Sequence, residues 1–268
     1  MQVIGICRFS YPAIGGFQVE HETIEDRIRY LYQLERLEER FRCFETITLP
    51  ALKAQTDADF DLVIVVGDSL PAEHLDRLHE LTADIPQVSI VARPPMNHRA
   101  AMKDVLNAAR REPDAPCLQF RQDDDDAVAV DFIERLRLAV AECGSLTANH
   151  PSVVFDFNRG FIAEADARGI RAKSVVRSLD VAAMAMHAAG GHRNTIMNFA
   201  HHKINQFMPV VSYTDTPMFV RTHNQFNDSR QKPVKAVPLE PLTVEEEQLF
   251  RDRFAIDAAA VRSAFSAL

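Results

Sequence analysis

The chain has 268 residues, of which 47% are hydrophobic and 25% are charged, and its formal net charge is −8. This composition excludes a disordered chain and predicts one large α/β domain with appendages, because there is enough apolar surface for a full core. The negative charge argues against a general nucleic-acid partner, which would need a basic surface. The four cysteines form no C-x-x-C pair, and no apolar run reaches the ~18 residues of a membrane span. We therefore expect a soluble, cytoplasmic protein.

In the first half of the chain, apolar runs alternate with amphipathic segments. The runs predict strands over 3–7, 60–66, 88–91 and 118–122, and the amphipathic segments predict helices over 24–42, 43–55, 71–81 and 97–109. This alternation is typical of a parallel sheet with crossover helices. Ligands bind such sheets outside the carboxyl ends of the strands, so we expect the functional site among the residues that follow each strand.

The second half has a different pattern. Apolar runs predict strands over 152–158, 170–176 and 180–186, and a polar, histidine-bearing stretch covers 190–227. Prolines mark a linker from 233, after which Thr243 and Glu246 have the spacing of a capping box that opens a helix. Residues 243–268 are therefore predicted to form two appended helices. Their apolar stripe consists of Phe250, Phe254, Ile256, Val261 and Phe265. Such a stripe is more often a core or dimer contact than a peripheral membrane contact.

Four consecutive carboxylates, Asp123–Asp126, end the predicted strand 118–122 and precede an apolar helix start. Like charges about 6 Å apart repel by roughly 3 kcal/mol at an effective dielectric constant near 20, so the run needs a compensating cation. Carboxylates at a strand end suit Mg²⁺ or Mn²⁺. A solvated loop or a structural calcium site is the alternative, but the spacing excludes an EF-hand.

The strand, the acid run and the following helix resemble the GT-A fold of nucleotide-sugar glycosyltransferases. In one register, Asp123 and Asp125 fall on the two defining acids of the motif, with Asp126 as a further candidate; shifting by one selects Asp124 and Asp126. The strand end at Arg8, the segment 44–56 and the residues 121–126 also resemble the bacterial family of putative rhamnosyltransferases. This resemblance covers about residues 1–230.

The resemblance implies a GT-A-like (Rossmann-like) α/β fold with a mostly parallel central sheet flanked by helices and a C-terminal helical extension. It divides the chain into a catalytic domain over 1–232, with a nucleotide-binding half (1–126) and an acceptor half (127–232), and a linker with C-terminal helices over 233–268. The implied activity is metal-dependent transfer of a sugar from a nucleoside-diphosphate sugar to a glycan, lipid or small-molecule acceptor. Only the family name suggests rhamnose as the transferred sugar; no residue of this sequence indicates it.

The same resemblance implies a metal site, for which we expect Mn²⁺ or Mg²⁺. Asp125 is the expected main ligand, with Asp123 and Asp126 as further candidates, and Asp123 or Asp124 is expected to contact the ribose. His223 closes an apolar run almost a hundred residues later, as the late histidine ligand of this fold commonly does. The alternative histidines are His192, His201 and His202, which could instead meet the acceptor or the diphosphate.

Basic side chains are expected around a diphosphate, because a metal only partly offsets its charge. The candidates are Arg8, Arg99, Lys103 and Arg121. Arg121 could equally neutralise the acid run. Arg221 and Arg230 flank His223 and could hold a phosphate in a closing loop, but a solvated position is the simpler interpretation. Asp68 is a candidate contact to the nucleobase, although such an acid more often caps a turn.

An inverting transfer also needs a general base near the acceptor hydroxyl. Asp156, Asp180 and Asp215 are candidates, and Asp215 is favoured for its position near the His223 run. A retaining mechanism, which needs no such base, stays open.

The alternative functions are a metal-dependent nucleotidyltransferase and a non-catalytic metal- or nucleotide-binding module.

Overall fold

A computed structural model describes residues 1–15, 21–180, 182–224 and 238–266. The strands are β1 (Gln2–Arg8), β2 (Asp61–Gly67), β3 (Val88–Arg93), β4 (Cys117–Asp123), β5 (Ala127–Val128), β6 (Ser152–Phe157), β7 (Arg159–Asp166), β8 (Gly169–Val176), β9 (Met184–Ala188), β10 (Val210–Tyr213), β11 (Phe219–Thr222) and β12 (Glu240–Pro241). The α-helices are α1 (Ile24–Leu31), α2 (Leu34–Cys43), α3 (Leu49–Lys53), α4 (Ala72–Thr82), α5 (His98–Ala108), α6 (Phe132–Glu142), α7 (Gly144–Asn149), α8 (Val244–Phe254) and α9 (Ala258–Ser266).

The central sheet has seven strands in the order β10-β6-β9-β4-β1-β2-β3. Strands β4, β1, β2 and β3 pair in parallel, as do β10 and β6, whereas β9 runs antiparallel to both of its neighbours. Helices cover this sheet, and the apolar residues of β1, β2, β4, β6 and β9 are buried, as both-face burial requires, whereas those of the edge strands β3 and β10 are partly exposed. The predicted mostly parallel α/β fold is therefore confirmed.

A second sheet, ordered β12-β8-β7-β11-β5, lies beside the acid run. Strand β7 pairs antiparallel with β8, and the sequence-based assignment placed a strand at β8 but missed β7. Gly160 in β7 packs directly under β11, since a Cβ there would lie 2.4 Å from the backbone oxygen of Phe219. The predicted strand 180–186 also starts later, at Met184.

The helices before β2 differ from the predicted boundaries. The predicted helix 24–42 is two helices, because Gln33 adopts an extended ψ of 132° between α1 and α2. The predicted helix 43–55 instead continues α2 through a π-helical turn, Phe44–Thr48, into α3. Pro50 lies in the first turn of α3, and its missing N–H cannot continue the regular hydrogen-bond pattern of the preceding helix.

The C-terminal helices belong to the main core. Phe250, Phe254, Ile256 and Val261 are fully buried in the same apolar cluster as the central sheet, and the rings of Phe161 and Phe250 lie 5.0 Å apart. The predicted capping box is present, since Thr243 Oγ1 accepts the backbone N–H of Glu246 at 3.2 Å. The predicted boundary at 232/233 lies outside the described residues. Within the described residues, no helix has the length and apolar character needed to cross a membrane.

Candidate functional site

The parallel register brings the ends of β1 and β4 together. Arg8, the last residue of β1, lies opposite Asp123, the last residue of β4. Both side chains line one cleft, which Arg121 also borders. The remaining lining residues are Ile6, His98, Met102, Gln122 and Met197. The cleft therefore lies outside the carboxyl ends of the strands, where the sequence predicted the site.

Arg8 and Arg121 line this cleft, and the charges of Arg99 and Arg221 also act on Arg121; we call these four residues the arginine cluster. Burial lowers the pKa of Arg121, and the three other guanidinium groups lower it further, while Asp123 opposes them. Within the described part of the chain, no side-chain hydrogen bond or ion pair joins Arg121 to another residue. The cluster is thus a concentration of positive charge that suits an anionic ligand.

Arg221 connects this cluster to the acid run and to Asp180. Its guanidinium forms an ion pair with Asp180, whose carboxylate also lies 3.8 Å from Arg177. Burial alone would lower the pKa of Arg221, but the carboxylates of Asp126, Asp180 and Asp123 together raise it. Asp180, a predicted catalytic acid, therefore lies near the site with its carboxylate engaged by two arginines.

The inner side of the acid run contacts a cation that sequence analysis missed. Arg40 of α2 is 3% exposed; its Nε donates to Oδ2 of Asp124 at 3.1 Å, and its Nη2 donates to Oδ1 of the same carboxylate. Its Nη1 donates to Oδ2 of Asp125 at 2.9 Å. We call Arg40, Asp124 and Asp125 the buried triad. Asn224 Nδ2 donates to the same Asp125 oxygen at 3.1 Å.

Asp126 faces β11. Its Oδ1 accepts the backbone N–H of Thr222 at 2.9 Å, and burial raises its pKa well above the usual range, with a further contribution from Asp125 and Asp123. Gln122 Nε2 donates to the backbone oxygens of Asp126 and Asp123 at 2.7 and 3.1 Å, which fixes the turn. Asp123 is consequently the acid of the run that lines the cleft.

The predicted metal ligands do not come together. His223 lines a second cavity, of about 330 Å³, with Glu39, Glu164, Asp166 and Asn224. Asp125 is held in the buried triad, and Asp126 is held by β11. Among the described residues, no group of three or more His, Cys, Asp or Glu side chains could hold a metal ion. This donor set does not fit Mn²⁺ or Mg²⁺, and we derive no chemical step through a metal.

The alternative histidines lie in different places. His201 Nδ1 is 2.6 Å from the backbone oxygen of Leu179, and burial lowers its pKa. His202 lies next to it, with the two rings 5.3 Å apart. His192 is remote, because its backbone oxygen accepts a bond from Arg110, which also contacts Ala115 just before the amino end of β4.

Asp68 and Lys103, two residues predicted to contact the nucleotide-sugar donor, lie in different positions relative to the cleft. Asp68 follows β2, beside the buried hydroxyl groups of Tyr11 and Tyr32, and burial followed by the Asp68 charge raises the pKa of Tyr32 to about 12. Asp68 therefore lies at the correct edge of the sheet, two strands from β4. Lys103 of α5 is not among the residues that line the cleft, although His98 and Met102 of the same helix are. Arg230 lies outside the described residues.

Asp215, the favoured catalytic base, is not placed at the site. It follows β10, which β6 and β9 separate from β4, and it forms an ion pair with Arg135 of α6. Burial is the largest single influence and raises its pKa, but the hydrogen bond from Arg135, the Arg135 charge and backbone hydrogen bonds together outweigh burial, so the pKa is lowered. Asp156 is 1% exposed and accepts the backbone N–H of Leu179 at 2.9 Å, so it has a structural position beneath the Leu179 turn.

Comparison with known proteins now gives the family. The family model described as "Putative rhamnosyl transferase" matches residues 2–236. The chain belongs to this family. The description of this family agrees with the sugar-transfer activity that the sequence motifs led us to expect. No match is found among curated proteins.

Solved structures similar to this rhamnosyl transferase family member include TarS 1–349 from S. aureus, alone and in complex with UDP-GlcNAc. Both are 12% identical with a TM-score of 0.44, and the matches cover 83% and 85% of this chain. The chain spans 60% of the length of these TarS chains. A putative glucose-1-phosphate thymidylyltransferase from Bacillus anthracis is 11% identical with a TM-score of 0.39, over 79% of this chain and 87% of its own.

The segment 44–56, which contributed to the resemblance to this family, contacts the residues that follow the acid run. Gln55 accepts the backbone N–H of Ile133 at 3.1 Å and donates to the backbone oxygen of Ala129 at 2.8 Å. Thr56 N–H donates to the backbone oxygen of Val130 at 2.8 Å. These bonds fix the start of α6 immediately after the acid run. The segment that carries the resemblance thus acts structurally and contributes no residue to the cleft lining.

Proposed function

We propose that this chain is a glycosyltransferase that uses a nucleoside-diphosphate sugar as its donor and binds the diphosphate with the arginine cluster. The observation that carries the proposal is the position of Arg121, whose partly buried guanidinium lines the cleft together with Arg8 at the carboxyl ends of β1 and β4. Such a concentration of like charge is unfavourable unless an anion joins it.

The chemistry of transfer explains why arginines are useful here. As the acceptor oxygen bonds to the anomeric carbon, the bond between that carbon and the phosphate oxygen breaks, and its electron pair leaves with the diphosphate. Negative charge therefore grows on the phosphate oxygens in the transition state. Guanidinium groups form paired, charge-assisted hydrogen bonds to phosphate, and these bonds strengthen as that charge develops.

The acceptor is proposed to bind in the second cavity, which adjoins the acid run through the hydrogen bond from Asn224 to Asp125. Its carboxylate, amide and imidazole groups can pair with the hydroxyl groups of a glycan, a lipid head group or a small molecule. Glu39 lines this cavity, and burial raises its pKa above that of an ordinary glutamate, although Arg42 and Arg40 lower it. Glu39 is therefore a stronger base than an exposed glutamate and replaces Asp215 as the candidate proton acceptor.

The test combines binding with product analysis. Calorimetric titration with the mono- and diphosphates of uridine, thymidine, guanosine and cytidine should show tighter binding of one diphosphate than of the monophosphate with the same base. Incubation with the corresponding nucleotide sugars, including a rhamnosyl donor, should release that nucleoside diphosphate. Release of pyrophosphate or a nucleoside monophosphate would instead indicate a nucleotidyltransferase, and equal affinity for monophosphate and diphosphate would contradict the role of the arginine cluster.

A further inference from the structure

Two carboxylates of the acid run are already paired with a cationic side chain of this same chain. Arg40 contributes three hydrogen bonds to the carboxylates of Asp124 and Asp125, two of them at 3.1 and 2.9 Å, and all three residues are at most 3% exposed. Buried carboxylates are stable as anions when they have such a charged and hydrogen-bonded partner. Asp124 and Asp125 therefore have a compensating cation without a metal.

We propose that Arg40 takes the place of a divalent cation at the acid run, so that this chain binds the diphosphate of its donor without a metal ion. The inference rests on the proposed function, because it concerns how the same cleft meets the same ligand. It departs from the sequence-based expectation of Mn²⁺ or Mg²⁺, which depended on at least two acids of the run being available as ligands.

The remaining acids do not restore a metal site. Asp126 is turned to β11 by the backbone N–H of Thr222 at 2.9 Å, and His223 lines the other cavity. Asp123 alone of the run lines the cleft. Mg²⁺ and Mn²⁺ need near-octahedral sets of oxygen or nitrogen ligands, and a metal at Asp125 would have to displace the guanidinium of Arg40 from a buried position.

The positive charge that a metal would bring to the diphosphate is supplied by the arginine cluster. Arg8 and Arg121 line the cleft, and the parallel register places Arg8 opposite Asp123 at the same edge of the sheet. A nucleoside diphosphate carries two to three negative charges near neutral pH, by the phosphate titration near pH 6. Arg221 is already paired with Asp180, but the guanidinium groups of Arg8, Arg99 and Arg121 can match that charge and provide the paired donors that phosphate oxygens accept.

The first test measures donor-product affinity with and without metal. The nucleoside diphosphate that binds most tightly is titrated calorimetrically in chelator, in Mn²⁺ and in Mg²⁺, and we expect the dissociation constants to agree within about threefold. Binding that weakens by about tenfold or more in chelator would overturn the inference and leave the donor class intact. If no nucleoside diphosphate bound in any condition, the proposed function would fail and this inference with it.

The second test needs no nucleotide. The electron paramagnetic resonance signal of free Mn²⁺ loses intensity when the ion binds to protein, and the wild-type chain should leave it unchanged. Arg40→Met uncovers Asp124 and Asp125 and, where circular dichroism shows it folded, should take up Mn²⁺, whereas Arg40→Lys keeps a cation in place and should not. Uptake by the wild-type chain that Asp125→Asn abolishes would overturn the inference.

Discussion

The two sides of the acid run contrast sharply, although their residues are adjacent in sequence. On the inner side, Asp124 and Asp125 are buried and bind Arg40. On the outer side, Asp123 lines a cleft with Arg121, whose guanidinium has no side-chain partner within the described part of the chain. On the inner side, the carboxylates are paired with Arg40. On the outer side, Asp123 faces more arginines than it can pair with.

This difference shows how one sequence motif can serve stability and function at once. The buried triad holds the turn after β4 in a single conformation, and this conformation positions Asp123 and Arg121. An open cluster of like charges costs energy in the free protein and recovers it when an anion binds. We therefore expect substitutions on the inner side to change stability first, and substitutions on the outer side to change ligand binding first.

Arg40→Ala should have the largest effect, and it tests the inner side. It would leave two buried carboxylates without their cation, which is expected to lower the free energy of unfolding by about 3–5 kcal/mol. Urea unfolding measures this change. Arg29→Ala is the matched control, because Arg29 forms a solvent-exposed ion pair with Asp26 on the neighbouring helix and such pairs contribute little. Equal losses of unfolding free energy in the two variants would contradict the claim that Arg40 stabilises the buried carboxylates of Asp124 and Asp125.

Asp156→Asn tests a buried acid of a different kind. Unlike Asp124 and Asp125, Asp156 has no guanidinium partner among the contacts described. Burial raises the pKa of Asp156 to about 6. The unfolded chain releases this proton near pH 4, so the folded state binds more protons between about pH 4 and 6, and stability falls as the pH rises through that window. Asparagine does not titrate and avoids this loss.

The variant should therefore be more stable than the wild type by up to about 3 kcal/mol near pH 8, with the gain disappearing below about pH 4. Urea unfolding at a series of pH values measures the difference. A gain that did not depend on pH would show that the pKa of Asp156 is the same in the folded and the unfolded chain, and would contradict this prediction. Ser212→Ala removes the weaker contact to Asp156, at 3.4 Å, and serves as a structural control.

Asn224→Ala should have the smallest effect on stability. It removes one hydrogen bond, 3.1 Å long, from the Asp125 carboxylate while Arg40 stays in place. A loss of about 1 kcal/mol in unfolding free energy is expected. A loss as large as that of Arg40→Ala would mean that Asn224, and not the guanidinium, is the main partner of Asp125.

The central sheet was predictable because its strands are apolar throughout and end at recognisable turns. The register that sets Arg8 opposite Asp123 also followed from a parallel sheet, which brings both strand ends to one edge. Strand β7 was missed because its pairing with β8 and β11 depends on tertiary contacts around Gly160. The boundary between α1 and α2 depends on the backbone of Gln33, which helical periodicity does not reveal.

The site was predictable in part. The run of acids and the neighbouring arginines were correctly placed at one edge, but their pairing was not, because Arg40 lies 84 residues from Asp124 in sequence. One signal was available, since Arg36 and Arg40 lie on the same helical face as the buried Leu37 and Phe41. Arginines on an apolar helix face need a buried acidic or backbone partner, and the acid run was the obvious source.

The central claim, that the arginine cluster binds the diphosphate of a nucleotide donor, is tested most directly by Arg121→Ala. Calorimetric titration with the preferred nucleoside diphosphate should show binding weakened by about 10- to 100-fold, since a charge-assisted hydrogen bond is worth about 1.5–3 kcal/mol. Urea unfolding should show no loss of stability. Arg251→Ala, which removes an exposed arginine of α8 paired with Asp257, should bind as the wild type does. Unchanged affinity in a folded Arg121→Ala variant would contradict the account.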